Sequence, residues 1–311
     1  MTLAILCSGQ GWQGPDMFSL TRDAPGAAGL FSHSAGLLGG RDPRLAVREE
    51  TPEAVHRDRI GQILCTLQAL AAIAALQGVL PQHLIVAGYS IGELAAWGVA
   101  GFLDADKVLD LAAARAEAMD AASPSGDGLM FVRGLPRETL DLLCARHGVE
   151  IAIMEPGNAY VLGGARTGLA TFADEARPAG AGRIVDLPVE VASHTSRLRQ
   201  ASAAFRKILA QSKAGGASVG SVRLISGIDG MPVMDLSAGL EKLARQISEP
   251  VQWGACLQSC GEAGATVFLE LGPGRALSRM AAEEFPGVAA RSIEEFQSLE
   301  GVREWLVHVG V

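Results

Sequence analysis

The sequence predicts an α/β protein in which a small domain interrupts a larger one. Three observations carry this: apolar strands alternate with helical patterns over residues 3–121, a β-α-β-β-α-β order fills residues 129–187, and longer helical and apolar segments then resume. Strand 3–7, helix 57–77, strand 84–87, helix 93–99 and helix 105–121 alternate as a parallel sheet covered by helices does. Ser123-Pro-Ser-Gly-Asp-Gly128 breaks that rhythm and marks a boundary. Beyond it come strand 129–132, helix 137–147, strand 149–154, strand 159–163, helix 168–179 and strand 183–187, which is the order of a ferredoxin-like unit. Strands 222–225 and 266–271 follow, the latter ending in the turn Gly272-Pro-Gly274. The expected division is therefore 1–125 with 194–311 for the large domain and 126–193 for the insertion; Gly215-Gly216 and 227–232 read as ordinary loops.

A chain of 311 residues with 49% hydrophobic and 19% charged residues can bury a large core. Its formal charge of −8, without any run of Lys and Arg interleaved with aromatics, argues against nucleic acid as a partner. The five cysteines, Cys7, Cys65, Cys144, Cys256 and Cys260, are odd in number and lack metal-ligand spacing, so they read as reduced core residues of a cytoplasmic protein with no metal. The amino terminus has no basic n-region and reads as a first strand, not a signal peptide. Thr66, Gln68 and Gln77 interrupt the longest apolar stretch, 63–80, which favours a buried helix over a membrane span.

The chemistry begins at residues 84–93, where an apolar strand runs into Gly88-x-Ser90-x-Gly92 and then a small-residue helix. That is the layout of a nucleophile elbow: a sharp strand-to-helix turn leaves the Ser90 hydroxyl exposed at the positive end of a helix. A plain turn serine is the competing reading. A serine nucleophile needs a base, and of six histidines His194 stands out, because Pro188-Val-Glu-Val-Ala-Ser-His194 lies where the chain re-enters the large domain. An elbow's oxyanion hole uses the amide after the serine, here Ile91, and one from a loop after another strand, which Gly9-Gln10-Gly11 can supply. The same residues spell Gly9-x-Gly11-x-x-Gly14, but residues 29–40 contain no acid, so a dinucleotide site is disfavoured. Arg115 sits within the apolar stripe Val108, Leu111, Ala112, Ala118, Met119 and Ala122. A guanidinium there needs a partner, either an internal Asp or Glu or the free carboxylate of a dicarboxylic acyl group.

These segments together resemble the malonyl-CoA:acyl carrier protein transacylase family over nearly the whole chain. Gly9-Gln10-Gly11-x-Gln13 and Gly88-x-Ser90-Ile-Gly-Glu93 are similar to two of its signatures, and Arg115 follows Ser90 by the family's interval of 25 positions. Ser193-His194, Pro250-Val-Gln252-Trp and Glu270-Leu-Gly-Pro-Gly274 match three further blocks in order. The resemblance implies an α/β-hydrolase-like large domain with the ferredoxin-like insertion, Ser90 acylated by malonyl-CoA, and His194 as general base. It also implies the backbone amides of Gln10 and Ile91 as oxyanion hole, Arg115 on the malonyl carboxylate, and Gln62 lining the site. In the family a backbone carbonyl of the Pro-Val-Gln-Trp block orients the histidine, which assigns that part to Gln252 or a neighbour. No bound cofactor is implied, and the acceptor is the phosphopantetheine thiol of an acyl carrier protein.

The chain departs from the family pattern at Tyr89, where His is usual, at Cys7-Ser8, where Phe-Pro is usual, and at Ile63, where proline is common. Tyr89 is thus expected to shape the acyl pocket. Carriers of fatty-acid synthesis, of polyketide lines and of malonate decarboxylase all remain open as acceptors. A thioester hydrolase would need an acid for a triad, with Asp186 the candidate by chain order, and a non-catalytic docking module is the third reading. Arg197, Arg199, Arg206 and Lys207 form a candidate basic patch for an acidic carrier, against the alternative of a solvated helix face.

Overall fold

The protein is described from a computed structural model that covers residues 1–212 and 222–311; Gly215-Gly216 lies outside the described residues. The strands are β1 (Thr2–Cys7), β2 (Leu84–Gly88), β3 (Asp127–Arg133), β4 (Glu150–Glu155), β5 (Ala159–Ala165), β6 (Arg183–Asp186), β7 (Val222–Leu224), β8 (Ala265–Glu270) and β9 (Ala289–Ser292). The α-helices are α1 (Ala28–Leu37), α2 (Pro43–Glu49), α3 (Pro52–Val55), α4 (Asp58–Ala75), α5 (Ile91–Val99), α6 (Ala105–Ala122), α7 (Arg137–His147) and α8 (Arg166–Ala176). After them come α9 (Arg199–Leu209), α10 (Leu236–Arg245), α11 (Trp253–Glu262), α12 (Ala276–Glu284) and α13 (Leu299–His308).

A five-stranded sheet runs β7-β2-β1-β8-β9, with every neighbouring pair parallel. Strands covered on both faces lose the apolar–polar alternation, which is why Leu3, Ala4, Ile5, Leu6 and Cys7 are consecutive and all buried. The apolar stretch after residue 62 becomes α4, whose Gln62, Thr66 and Gln68 are buried with the rest. No helix among the described residues is long and apolar enough to cross a membrane.

A second sheet, β4-β5-β3-β6, is antiparallel throughout, with α7 between β3 and β4 and α8 between β5 and β6. One of its apolar groups is its own: Met130, Val132, Leu140, Leu162 and Phe172 pack together. Another is shared, since Leu129, Ala152, Ile153 and Val161 join Ala4, Leu6, Ile85 and Trp253 of the parallel-sheet unit. Backbone bonds extend the junction: the Val251 amide donates to the Ala152 carbonyl (2.9 Å) and the Met154 amide to the Val251 carbonyl (2.8 Å). Arg197 donates bidentately to buried Asp127 (2.6 and 2.7 Å), and the Ser196 amide and hydroxyl donate to Glu150 (2.8 and 2.6 Å). These bonds fix the returning segment that carries His194.

Several boundaries differ from the sequence reading. Helix α5 starts at Ile91, two positions before 93, because the turn at Ser90 is tighter than a glycine count suggests. Helix α8 is Arg166–Ala176, not 168–179; Pro178 has no amide with which to continue the ladder. Helices α1 to α3, helices α9 to α13 and the edge strand β9, Ala-Ala-Arg-Ser, had no assigned range in the sequence reading; β9 owes its extended form to its ladder with β8.

Candidate active site

Strand β2 and helix α5 meet at Ser90, whose backbone sits at φ 56° and ψ −119°. A non-glycine residue at positive φ is strained, and neighbouring contacts must hold it there. Crowding does so here. A Cβ on Gly88 would run into the Gly92 carbonyl and the Glu93 amide, and one on Gly92 would strike the Cys7 carbonyl at the end of β1. Only glycines let strand, helix and neighbouring strand approach this closely. Ile91 opens α5, so its N–H has no partner within the helix.

The Ser90 Oγ lies 2.7 Å from His194 Nε2, and His194 Nδ1 lies 2.5 Å from the backbone carbonyl of Gln246. A carbonyl only accepts, so Nδ1 carries the ring proton and Nε2 offers its lone pair to the serine hydroxyl. His194 is 1% exposed and itself adopts φ 63°, with its amide donating to Ile247 O (2.8 Å). Burial, reinforced by the positive charge of Arg115, pushes the imidazole down to about 3, which keeps it neutral and able to accept a proton.

The carbonyl against His194 belongs to Gln246 and not to Gln252, a correction to the sequence reading. Gln246 is the C-cap of α10, where carbonyls are left without helix partners, and the negative end of a helix suits a ring that becomes cationic during proton transfer. Gln252 instead caps α11 and donates its amide to Gly227 O (2.7 Å). The Gln246 side chain ties the site together: its Nε2 donates to Ser90 O (3.1 Å) and Glu93 Oε2 (2.5 Å), and its Oε1 accepts from Arg115 Nη2 (3.3 Å). Sequence reasoning missed it; the available signal was a helix ending just ahead of Glu249-Pro250.

Arg115, on α6 and 1% exposed, donates from Nη1 to Gln62 Oε1 (2.7 Å). Both its partners are neutral amides, and its buried Nε has no hydrogen-bond partner among the described residues. The nearby carboxylates are engaged elsewhere: Asp58 accepts from Gln62 Nε2 (2.9 Å to each oxygen) and Glu93 from Gln246. Burial lifts Asp58 to about 6 and Glu93 to about 7, and lowers Arg115 to about 10 against the pull of both acids. Gln10, in the loop after β1, reaches the same group through Nε2 to Asp58 O (3.4 Å). A family model described as an acyl transferase domain matches residues 46–294, a span containing Ser90, Arg115, His194 and Gln246.

The chain belongs to the acyl transferase family. It is 32% identical over 311 residues to the malonyl CoA-acyl carrier protein transacylase of Mycobacterium bovis, spanning 96% of this chain and 98% of that one. It is also 31% identical over 291 residues to part of the polyketide synthase GfsB of Streptomyces halstedii, 90% of this chain but 5% of that protein. The solved acyl-carrier-protein S-malonyltransferase of Burkholderia pseudomallei matches with a TM-score of 0.89 at 27% identity, covering 98% of this chain and 100% of that one.

Two features set this acyl transferase's site apart from the sequence expectation. Tyr89 directs its hydroxyl to Glu155 Oε1 at the end of β4 (2.6 Å) and packs edge-on against Trp253, so it joins the nucleophile turn to the antiparallel unit. The basic patch is also reduced: Arg197 is committed to Asp127 and Arg206 pairs with Glu241 (2.7 Å), leaving Arg199 and Lys207 exposed. Asp186 is exposed on β6, and the place beside His194 Nδ1 where a triad acid would stand is taken by the Gln246 carbonyl.

Nuclear magnetic resonance of the His194 ring should show no titration between about pH 8 and 5, where an ordinary histidine changes charge. In Arg115→Ala the transition should move upward, because the second of its two depressing causes is gone; an ordinary transition in the unaltered protein would contradict the burial argument. Tyr89→Phe removes the donor to a buried carboxyl and should lower stability in urea by about 1–2 kcal/mol. Glu155→Gln, which can still accept that bond, should lose less, and unchanged stability in Tyr89→Phe would show that the Tyr89 hydroxyl contributes nothing there.

Proposed function

We propose that this acyl transferase moves a malonyl group from malonyl-CoA to the phosphopantetheine thiol of an acyl carrier protein through a Ser90 acyl-enzyme. The observation that carries the reading is the buried Arg115 guanidinium, held by amides in the network that also positions Ser90 and His194. A charged fork so placed suits a substrate carboxylate, which would supply the direct carboxylate partner that Asp58 and Glu93, engaged with Gln62 and Gln246, do not.

In the first half-reaction the Ser90 hydroxyl gives its proton to His194 Nε2 as Oγ bonds to the thioester carbonyl carbon. The amides of Gln10 and Ile91 receive the oxyanion. Collapse breaks the carbon–sulfur bond, and the departing thiolate takes the proton from the imidazolium, whose charge the Gln246 carbonyl favours. In the second half the carrier thiol gives its proton to Nε2, attacks the ester, and Ser90 leaves as a hydroxyl. Hydroxyl, imidazole and amides suffice, so no bound cofactor enters the scheme.

The architectural reading goes with it. An α/β-hydrolase-like unit formed by 1–125 and 194–311 would carry the elbow, and 126–193 would be a ferredoxin-like insertion. The strand order β4-β5-β3-β6, with one helix after β3 and one after β5, supports the second assignment.

Intact-mass measurement after mixing with malonyl-CoA should show a malonyl adduct on the protein and none on Ser90→Ala; an unmodified protein would refute the acyl-enzyme. Arg115→Ala should lose malonyl transfer by about 10- to 100-fold more than acetyl transfer, the equivalent of one hydrogen bond to a charged group. Equal losses for the two acyl groups would return Arg115 to a purely structural part.

A further inference from the structure

An open cleft of about 300 Å³ separates the start of α4 from the antiparallel unit. Pro52, Glu53 and residues 56–58 form one wall; Arg166, at the start of α8, and residues 188–190, on the path back to His194, form the other. Asp58 also lines it, and Asp58 accepts from Gln62 through its carboxylate and from Gln10 through its carbonyl. The cleft therefore adjoins the residues that hold Arg115.

Two exposed guanidiniums line this cleft from opposite walls, Arg57 and Arg166. Arg166 reaches only the Val189 carbonyl (3.3 Å), and neither guanidinium forms an ion pair among the described residues, whereas neighbouring Arg59 pairs with Glu117 (2.8 Å). His56 adds an imidazole whose Nδ1 is bound to the Pro52 carbonyl (2.6 Å), leaving Nε2 available. Two further acids, Glu53 and Glu190, line the cleft, and neither forms an ion pair with an arginine among the described residues. Glu53 is held below the usual carboxylate range by its own amide and the Thr51 hydroxyl at the start of α3, and the charge of Glu190 bears on Asp120 of α6. No direct ion pair among the described residues accounts for the two arginines, and each offers the planar fork that binds phosphate oxygens bidentately.

We propose that Arg57 and Arg166 bind the phosphate of the pantetheine-bearing substrates in this cleft, an inference that rests on the malonyl-transfer reading above. The shared chemistry is a phosphate ester on a pantetheine arm, found both in CoA and in the phosphodiester of a charged carrier protein.

The test compares Arg57→Ala, Arg166→Ala and the double variant with malonyl-CoA, with malonyl-pantetheine, which lacks phosphate, and with the phosphopantetheinylated carrier. A rise in KM of about fivefold or more for malonyl-CoA, with kcat retained and kcat/KM for malonyl-pantetheine changed less than about twofold, is the expected result, scaled down from the value of a charged hydrogen bond because both side chains are exposed. A rise confined to malonyl-CoA assigns the cleft to CoA, one confined to the carrier assigns it to the carrier's arm, and a rise in both makes it common to the two half-reactions. Unchanged KM for both phosphate-bearing substrates, or an equal loss with malonyl-pantetheine, overturns the proposal. Failure of the malonyl-transfer reading itself would look different, since the unaltered protein would then form no adduct with either malonyl thioester.

Discussion

The site is organised around one electrostatic constraint: Arg115 is buried with no carboxylate as its direct partner. Desolvating an ion costs several kcal/mol, and hydrogen bonds must offset part of that cost. Gln62 and Gln246 supply them, and those two amides are in turn held by Asp58 and Glu93. Because Gln246 also accepts from His194 through its backbone carbonyl and donates to the Ser90 carbonyl through its side chain, the same residue relates the cation, the base and the nucleophile. The positive charge reaches His194 as well and helps to keep it neutral.

Backbone crowding supplies the second requirement. The parallel sheet brings the ends of β1 and β2 side by side, and Gly88 and Gly92 allow α5 to begin immediately above them. Strain at Ser90 is affordable because the turn is closed by bonds from Gly92 to the Tyr89 carbonyl and from Glu93 to the Ser90 carbonyl. The antiparallel unit completes the surroundings through Tyr89–Glu155, the Val251 bonds to β4, and Arg197 on Asp127. Its attachment combines a shared apolar cluster with specific polar contacts, which fixes where the segment returning to His194 must lie.

Much of this was legible in the chain. Strands β1 and β2, helices α4 and α6, and the alternation across residues 127–186 are written in local apolar patterning, which depends only on neighbouring residues. Ser90 could be found because its turn needs glycines at fixed offsets. Helices α1 to α3 and strand β9 were not legible, since their form depends on packing, of α1 and α3 against α4 and of α2 against α1, and on pairing with β8.

The sequence by itself determined which residue types could do the chemistry: a serine in an elbow, a histidine after the insertion, an arginine in an apolar stripe. Only the tertiary structure decided their partners. That the carbonyl of Gln246 and not Gln252 faces His194, that Tyr89 turns to Glu155, and that Arg197 is spent on Asp127 all follow from contacts between segments far apart in the chain. Local patterning encodes burial and turn geometry, whereas the choice among several chemically equivalent donors and acceptors is made by distance, and distance exists only once the two sheets have packed.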